Sequence, residues 1–211
     1  MTKYFVTIAG NIGVGKSTLT DLVAKRLGWD PCYEAVEENP YLADFYQDMP
    51  RWSFHSQAFF LSRRLQQHHA LLERDCSVIQ DRSVYEDAEI FAQNLFNAGH
   101  MSNRDWHTYW ELYRTLCILL TPPNLVVYLR AAVPTLLRRI GQRGREYERT
   151  ISADYLEQLN SLYDRWTRNF TLCPVLTVET DSLDYVQYAD HLDQIVQRIE
   201  DRLHGKETLS L

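Results

Sequence analysis

A glycine-rich segment near the start of the chain has the residue types and spacing of a phosphate-binding loop. Residues 10–17 read G-N-I-G-V-G-K-S, which matches the pattern GxxxxGK[ST] of the P-loop. The glycines let backbone N–H groups turn toward a polyphosphate, and a helix after the loop adds a favourable dipole. In this pattern Lys16 reaches the terminal phosphates and the Ser17 hydroxyl holds Mg²⁺. A chance glycine-rich turn is the alternative, which the strand-like run before the motif and the helical pattern after it disfavour.

A second segment, residues 77–83, ends an apolar run with an acid and a base. It reads S-V-I-Q-D-R-S. Asp81 at the end of a strand can orient Mg²⁺ or its water shell, and Arg82 can stabilise charge on a phosphoryl group during transfer. An aspartate helix cap beside a surface arginine is the alternative, and the P-loop in the same chain weakens it.

Three glutamates follow the first predicted helix, near the carboxyl end of a short strand expected after it: Glu34, Glu37 and Glu38. Any of them could orient or deprotonate a hydroxyl acceptor. The spacing does not choose among them, and two of the three are expected to belong to an acidic, solvated loop.

Four arginines within eight residues form the run R-R-I-G-Q-R-G-R at residues 138–145. Because an anion among them would offset their repulsion, we interpret this run as part of a lid over about residues 141–150. Gly141 and Gly144 are expected to break the preceding helix and to serve as hinges. A solvated basic helix end is the alternative.

The pattern of apolar residues alternates between strand-like and helix-like segments. Buried strands are predicted at residues 4–9, 77–80, 125–129 and 175–178, and helices at 19–27, 53–73, 133–140, 153–169 and 184–203. Such alternation predicts an α/β fold with a parallel sheet covered by helices on both faces. Ligands bind beyond the carboxyl ends of the strands in these folds, and the P-loop and Asp81 both follow strands.

The composition limits the class of protein. The chain has 211 residues without a repeat or a linker, which fits one domain, and its formal net charge is −6. An acidic chain disfavours general nucleic-acid binding, because that needs a basic face to neutralise phosphates. No signal peptide is visible and no stretch approaches the roughly 20 apolar residues that cross a membrane, so we expect a cytoplasmic protein.

Residues that could hold a metal or a crosslink do not form a recognisable pattern. The four cysteines are scattered and are predicted to be buried thiols: Cys32, Cys76, Cys117 and Cys173. His68 and His69 are adjacent on an expected helix, so they point apart, and we predict a solvated helix face rather than a metal site.

The P-loop alone is compatible with kinases, GTPases and motor-type ATPases. The guanine-reading sequence NKxD is absent, and the length favours a small-molecule kinase over an oligomeric ATPase. The remaining motifs are then expected to supply an acceptor site.

The four chemical segments, in this order, resemble the deoxynucleoside kinase family, whose members phosphorylate deoxyadenosine, deoxyguanosine and deoxycytidine. The resemblance extends from about residue 3 to residue 178 and includes the runs W-S-F-H-S-Q-A-F-F-L-S-R-R, D-R-S-V-Y-E-D and R-G-R-E-Y-E. It implies a P-loop kinase fold, a three-layer α/β/α structure with a five-stranded parallel sheet, in one kinase domain over residues 1–211. It also implies a homodimer.

On the donor side the resemblance implies ATP, with Mg²⁺ at Ser17 and Asp81. The implied ATP-binding residues are Gly10, Asn11, Ile12, Gly13, Val14, Gly15, Lys16, Ser17 and Thr18 of the P-loop, with Arg139, Arg143 and Arg145 of the lid. The implied catalytic residues are Glu34, Asp81, Arg82 and Lys16. Glu34 occupies the position of the glutamate in the family's Glu-Pro-Val motif, although Ala35 replaces the proline. Either Glu34 or Asp81 is the proton acceptor, and we favour Glu34.

On the acceptor side the implied substrate-binding residues are Glu34, Tyr46, Gln57, Arg64, Arg82, Asp87, Phe91 and Glu148. The amide of Gln57 is similar to one that reads the base edge in the family. Arg64 and Asp87 match a pair at the base, and Phe91 matches a ring that stacks on it.

We therefore expect Mg·ATP-dependent phosphorylation of the 5′-hydroxyl of deoxynucleosides in nucleotide salvage, with purine deoxynucleosides preferred and deoxycytidine a possible further acceptor. One alternative is a nucleoside monophosphate kinase of the thymidylate kinase type, which would need an extra basic site for the acceptor phosphate. Tyr46 and Glu148, which match the pair at the sugar 3′-hydroxyl, suit an uncharged acceptor instead. The other alternative is a nucleotide-sensing P-loop protein without catalysis.

Overall fold

The computed structural model describes residues 2–33, 39–148 and 151–205, and five strands in this part of the chain form one parallel sheet. The strands are β1 Phe5–Gly10, β2 Asp30–Cys32, β3 Val78–Asp81, β4 Leu125–Arg130 and β5 Val175–Glu179. Their order across the sheet is β2-β3-β1-β4-β5. The central β1 is buried at all six residues, as expected for a strand covered on both faces.

Helices connect the strands and cover the sheet. They are α1 Lys16–Leu27, α2 Leu42–Gln47, α3 Met49–Leu72, α4 Val84–Glu86, α5 Gln93–Asn97, α6 Asn103–Cys117, α7 Val133–Arg143, α8 Ala153–Asn169 and α9 Ala189–Leu203. A π-helical turn, Asp87–Ala92, joins α4 to α5, and a 3₁₀ turn, Glu146–Glu148, follows α7. None of the helices in the described ranges is long and apolar enough to cross a membrane.

Two apolar clusters lie on opposite faces of the sheet and make the expected three-layer α/β/α structure. One contains side chains of α1, α7 and α9, packed on Val6, Ile8 and neighbouring strands. The other contains side chains of α3, α6 and α8, packed on Ala9, Val126 and Tyr128. Because side chains alternate along a strand, successive residues of β1 contribute to different faces. The predicted fold class is confirmed.

The strand order creates a crevice between the carboxyl ends of β1 and β3. From β1 the chain moves to the edge strand β2, whereas from β3 it crosses to β4 on the other side of the sheet. At such a switch point the two connections diverge and leave room for a ligand. Ile8 is in register with Asp81, so the P-loop and the Asp81 turn begin side by side.

Four predicted helix boundaries are wrong. Helix α1 begins at Lys16 rather than at residue 19, and α3 begins at Met49 rather than at residue 53, because Asp48 caps it by accepting the N–H of Arg51. Helix α7 continues through Gly141 and ends at Arg143, where Gly144 has a φ of 71° and donates its N–H to Ile140 O. The last helix begins at Ala189 rather than at residue 184, because the Asp184 carboxylate accepts the N–H groups of residues 186 and 187 and forms a turn instead.

The predictions for histidine and cysteine exposure also need correction. His68 is only 2% exposed, with Nε2 2.9 Å from the Thr121 carbonyl oxygen, and only His69 lies on a solvated face. All four cysteines are free thiols, as predicted, but they are half-buried rather than buried.

Candidate active site

A cavity of about 1000 Å³ opens at the carboxyl ends of β1 and β3. Most of the predicted site residues line it: Ile12, Gly13, Gly15, Lys16, Ser17, Thr18, Tyr46, Gln57, Asp81, Arg82, Asp87, Phe91, Arg139, Arg143, Arg145 and Glu148. Gly10, Asn11, Val14 and Arg64 are buried and do not line it. Segments far apart in the sequence therefore contribute to one site.

The P-loop is held against α7 on one side of this cavity. Gly13 has a φ of 80°, and a Cβ atom there would lie 2.6 Å from Cγ1 of Ile140. Only glycine fits, because the conformation and the close packing both exclude a side chain. The Lys16 ammonium donates to the carbonyl oxygens of Gly10 at 2.8 Å and Asn11 at 3.0 Å, which fixes its Nζ at the loop.

A hydroxyl and a carboxylate meet where Mg²⁺ is expected. Ser17 Oγ donates to Asp81 Oδ2 at 2.5 Å, and Asp81 is 2% exposed. Asp81 Oδ1 has no hydrogen-bond partner among the described residues. Hard oxygen ligands suit Mg²⁺, which usually takes one or two protein ligands together with phosphates and water. The Ser17–Asp81 pair fits such an ion.

Arg82 has an unusual backbone conformation. Its φ of 66° makes it the one non-glycine residue with positive φ in the described ranges. Its guanidinium carbon lies 4.1 Å from the centroid of the Phe91 ring. This contact between the cation and the aromatic face helps to hold the planar guanidinium in the cavity wall.

Polar side chains that suit a neutral ligand lie on the wall formed by α3 and the π-helical turn. Gln57 is 5% exposed, and its Oε1 accepts no hydrogen bond from the described residues. The Asp87 carboxylate accepts from Nε of the buried Arg64 at 3.0 Å. Arg64 also donates to the Asp81 carbonyl oxygen at 3.2 Å. Arg64, which is buried and does not line the cavity, thus orients the Asp87 carboxylate that does.

Arg139 joins the P-loop to the segment after β5. It donates to the carbonyl oxygens of Val14 at 2.9 Å and Thr180 at 2.8 Å. Two of its nitrogens therefore already bind backbone oxygens, and in this conformation the guanidinium braces the loop from α7.

Glu148 brings two more arginines together. Its carboxylate accepts from Arg143 at 3.0 and 2.6 Å, and Arg145 lies 3.7 Å away. The Glu148 side chain is 5% exposed, so these charges neutralise one another near the cavity. Glu148, predicted to bind the sugar, therefore forms ion pairs with two arginines that were predicted to bind phosphate.

The three glutamates that were candidates for the catalytic carboxylate, Glu34, Glu37 and Glu38, lie outside the described residues. The segment that contains them runs between β2 and residue 39, and its two flanking residues are described: Tyr33 lines the cavity, and Asn39 donates to Ser56. The role of Glu34 stays a prediction.

One residue that the sequence analysis missed is Glu86, which is completely buried beside the P-loop. Its carboxylate accepts hydrogen bonds from Gly10 N, at 3.1 Å, and from Ser83 N, at 2.9 Å. Burial raises the pKa of Glu86 above its usual value, and the charges of Arg82 and Lys16 oppose that rise. The spacing Ser-x-x-Glu, typical of a capping box, was the signal that could have found it.

Comparison with known proteins gives a consistent result. A sequence model described as deoxynucleoside kinase matches residues 6–204 of the chain. The chain is 39% identical to the deoxyadenosine/deoxycytidine kinase of Bacillus subtilis over 206 residues, covering 96% of this chain and 94% of that protein. It is also 35% identical to the deoxyguanosine kinase of Bacillus subtilis, covering 95% of this chain and 98% of that protein.

The fold is similar to that of a solved structure, the deoxyadenosine kinase of M. mycoides with the products dCMP and a flexible dCDP bound. The TM-score is 0.83 at 30% sequence identity, over 93% of this chain and 99% of that one.

Proposed function

The chain belongs to the deoxynucleoside kinase family, and we propose that it transfers the γ-phosphoryl group of ATP to the 5′-hydroxyl of a deoxynucleoside. It is a kinase that phosphorylates deoxynucleosides. One observation carries the finer proposal. The same cavity is lined by a P-loop with the Ser17–Asp81 pair and by the uncharged amide of Gln57 beside Asp87. These groups suit a polyphosphate donor and a neutral acceptor.

On the donor side the P-loop backbone and Lys16 are proposed to hold the β- and γ-phosphates. Ser17 and Asp81 would hold Mg²⁺, which when bound neutralises charge that develops on the phosphate oxygens. Arg82 would stabilise the phosphoryl group during transfer. Arg139, Arg143 and Arg145 are proposed to complete the phosphate site, which requires the contacts of Arg143 and Arg145 with Glu148 to rearrange or to be shared.

On the acceptor side Glu34 is proposed to orient the 5′-hydroxyl and to take its proton, with Asp81 as the other candidate. Tyr46 and Glu148 are proposed to bind the sugar 3′-hydroxyl. Catalysis then depends mainly on positioning and on electrostatic stabilisation, because phosphoryl transfer needs little covalent participation by the protein.

The base is proposed to contact three side chains. The Gln57 amide offers one donor and one acceptor group to a base edge, Asp87 held by Arg64 offers an acceptor, and Phe91 offers a ring face. We propose that purine deoxynucleosides are preferred and that deoxycytidine is also accepted. The names of the two Bacillus subtilis relatives, which cover deoxyadenosine, deoxycytidine and deoxyguanosine, support this range.

The proposal is tested by incubating the protein with γ-labelled ATP, Mg²⁺ and each deoxynucleoside or deoxynucleoside monophosphate in turn. We expect labelled monophosphates from the purine deoxynucleosides and from deoxycytidine, and no labelled diphosphates. The Lys16→Ala variant is the control for a contaminating kinase and should form no product.

Two outcomes would contradict the proposal. Product from monophosphate acceptors alone would favour a nucleoside monophosphate kinase. Binding of ATP without transfer to any acceptor would favour a nucleotide sensor.

Three broader properties belong to the same proposal. We propose that residues 1–211 form one kinase domain, since the family match spans residues 6–204. A homodimer is proposed, and the exposed apolar side chains of Leu112, within α6, and of Ile118 and Leu119, just after it, are consistent with a covered surface. Sedimentation equilibrium would test the dimer. The cytoplasmic location stays a prediction.

A further inference from the structure

The carboxylate of Glu86 uses both of its oxygens to connect two segments of the active site. Oε1 accepts from Gly10 N at 3.1 Å and lies 2.9 Å from the Tyr163 hydroxyl. Oε2 accepts from Ser83 N at 2.9 Å and from Ser83 Oγ at 3.2 Å. Each oxygen thus accepts one backbone N–H. Because backbone donors have fixed positions, the two hydrogen bonds define the orientation of the carboxylate.

The two connected segments come from neighbouring strands. Gly10 ends β1 and begins the P-loop, and its carbonyl oxygen also binds the Lys16 ammonium. Ser83 ends the turn that follows β3, directly after Arg82. Without the carboxylate, the two backbone N–H groups of Gly10 and Ser83 would lose their acceptor in a buried place, which is unfavourable.

The backbone conformation of Arg82 is unfavourable and depends on contacts with its neighbours. A left-handed φ costs a non-glycine residue about 1 kcal/mol or more, so the surrounding contacts must hold it. The peptide N–H that follows Arg82 belongs to Ser83. The Glu86 side chain, in the first turn of the next helix, accepts this N–H as part of the capping box. The Phe91 ring holds the other end of the Arg82 side chain.

The negative charge of Glu86 is balanced by two nearby cations, Arg82 and Lys16. The side chain is 0% exposed, and an isolated buried carboxylate would be strongly disfavoured. Lys16 and Arg82 lower its pKa against the effect of burial. These are the two cations that the proposed function assigns to the phosphates.

We infer that Glu86 is a positioning residue of phosphoryl transfer, whose carboxylate fixes the start of the P-loop relative to the Arg82 turn. It touches neither the cavity nor the substrates, since it does not line the cavity. It acts through Gly10 and Ser83, so that Lys16 and Arg82 keep the separation that one phosphoryl group requires. This inference rests on the proposed roles of Lys16 and Arg82.

The test is Glu86→Gln, which keeps the shape of the side chain. The amide oxygen can replace one carboxylate oxygen, but the NH₂ group then faces a backbone N–H that cannot accept. We expect kcat to fall about 10- to 100-fold, with KM for the deoxynucleoside nearly unchanged, because a small misplacement of catalytic groups has an effect of this size. Tyr163→Phe removes one hydroxyl and leaves both backbone contacts, so its loss of kcat should be smaller.

The matched control is Glu89→Gln. Glu89 lies three residues after Glu86 on the same helical segment, is partly buried, and accepts from the Tyr113 hydroxyl away from the cavity. Its variant should keep kcat within about threefold of wild type, since no group in the cavity depends on it. All variants are compared at a temperature where circular dichroism shows them folded.

Equal kcat values for folded Glu86→Gln and Glu89→Gln would overturn the inference and leave Glu86 a contributor to stability alone. If Glu86→Gln does not fold, Glu86→Asp is measured instead, because its shorter carboxylate cannot reach both backbone N–H groups, and an unchanged kcat in that variant overturns the inference. The acceptor range of the wild-type enzyme is measured separately, so failure of the proposed function is recognised independently of these variants.

Discussion

Arg64 and Asp87 form an ion pair that is almost completely removed from solvent. Their side chains are 2% and 4% exposed, and Nε lies 3.0 Å from Oδ2. Removing two charges from water is costly, so such a pair is stable only when both members remain and their other hydrogen-bonding groups are used. The second contact of Arg64, with the Asp81 carbonyl oxygen, connects this pair to the end of β3.

Replacing one partner should therefore destabilise the protein strongly. We expect Arg64→Leu to lower the free energy of unfolding by about 3–5 kcal/mol, because Asp87 is left charged or must be protonated. Denaturant unfolding measures the loss. The matched control is Arg63→Leu on the exposed face of the same helix, with an expected loss of about 1 kcal/mol or less. Similar losses in the two variants would contradict the burial argument.

Helix α7 packs against the P-loop and stabilises it. The arginines at the end of this helix are also proposed to bind phosphate. Ile140 packs against Gly13, and Arg139 donates to Val14. The helix continues through Gly141 without interruption, so the break in regular structure comes at Gly144. If a lid moves, the structure favours a hinge after residue 143 over one at residue 141.

The two glycines should respond differently to alanine. Gly141→Ala places a methyl group in open space inside a helix and should stabilise the protein by about 0.5–1 kcal/mol with kcat retained. Gly144→Ala forces a side chain into a φ of 71° and should destabilise it by about 1–2 kcal/mol. Thermal melting and initial rates check both. A large loss of kcat in Gly141→Ala would restore the hinge at that residue.

At the scale of the whole molecule, charge is distributed unevenly. The chain has 22 basic and 28 acidic residues. Among the described residues that line the cavity, six are Lys or Arg and five are Asp or Glu, so the excess of acid is reversed there. Basic side chains gathered around a phosphate site can attract a small polyanion, whereas the excess of acidic residues in the rest of the molecule disfavours nucleic acid.

This distribution predicts different salt effects for the two substrates. Raising monovalent salt from about 0.05 M to about 0.5 M should increase KM for ATP several-fold, because shorter screening lengths weaken its attraction to the cations. KM for the uncharged deoxynucleoside should change much less, and duplex DNA should not compete with ATP. Steady-state kinetics with each substrate varied in turn measure this. An equal salt effect on both KM values would indicate a charged acceptor.

The residues that the sequence identified most readily belong to contiguous motifs. Residues 10–17, together with Asp81 and Arg82, are recognisable because their chemistry depends on neighbours in the chain and on the strands before them. His68 was assigned the wrong environment, since its burial depends on packing against the segment that carries Thr121. For Glu86 the local spacing Ser-x-x-Glu indicates only a helix cap, and its contact with the P-loop could not be predicted, because Gly10 is 76 residues away.

The sequence by itself determined the P-loop, the alternation of strands and helices, the resulting parallel α/β fold and the family resemblance. These features depend on local spacing and on periodicity, which a linear chain contains in full. The resemblance implied that Arg64 and Asp87 form a pair. Only the tertiary structure decided that this pair is buried, that Glu148 binds two arginines and that Glu86 connects two strand ends. The Arg64–Asp87 and Glu86–Gly10 contacts join residues 23 and 76 positions apart in the chain. Burial, which sets the strength of all three contacts, is a property of the folded molecule.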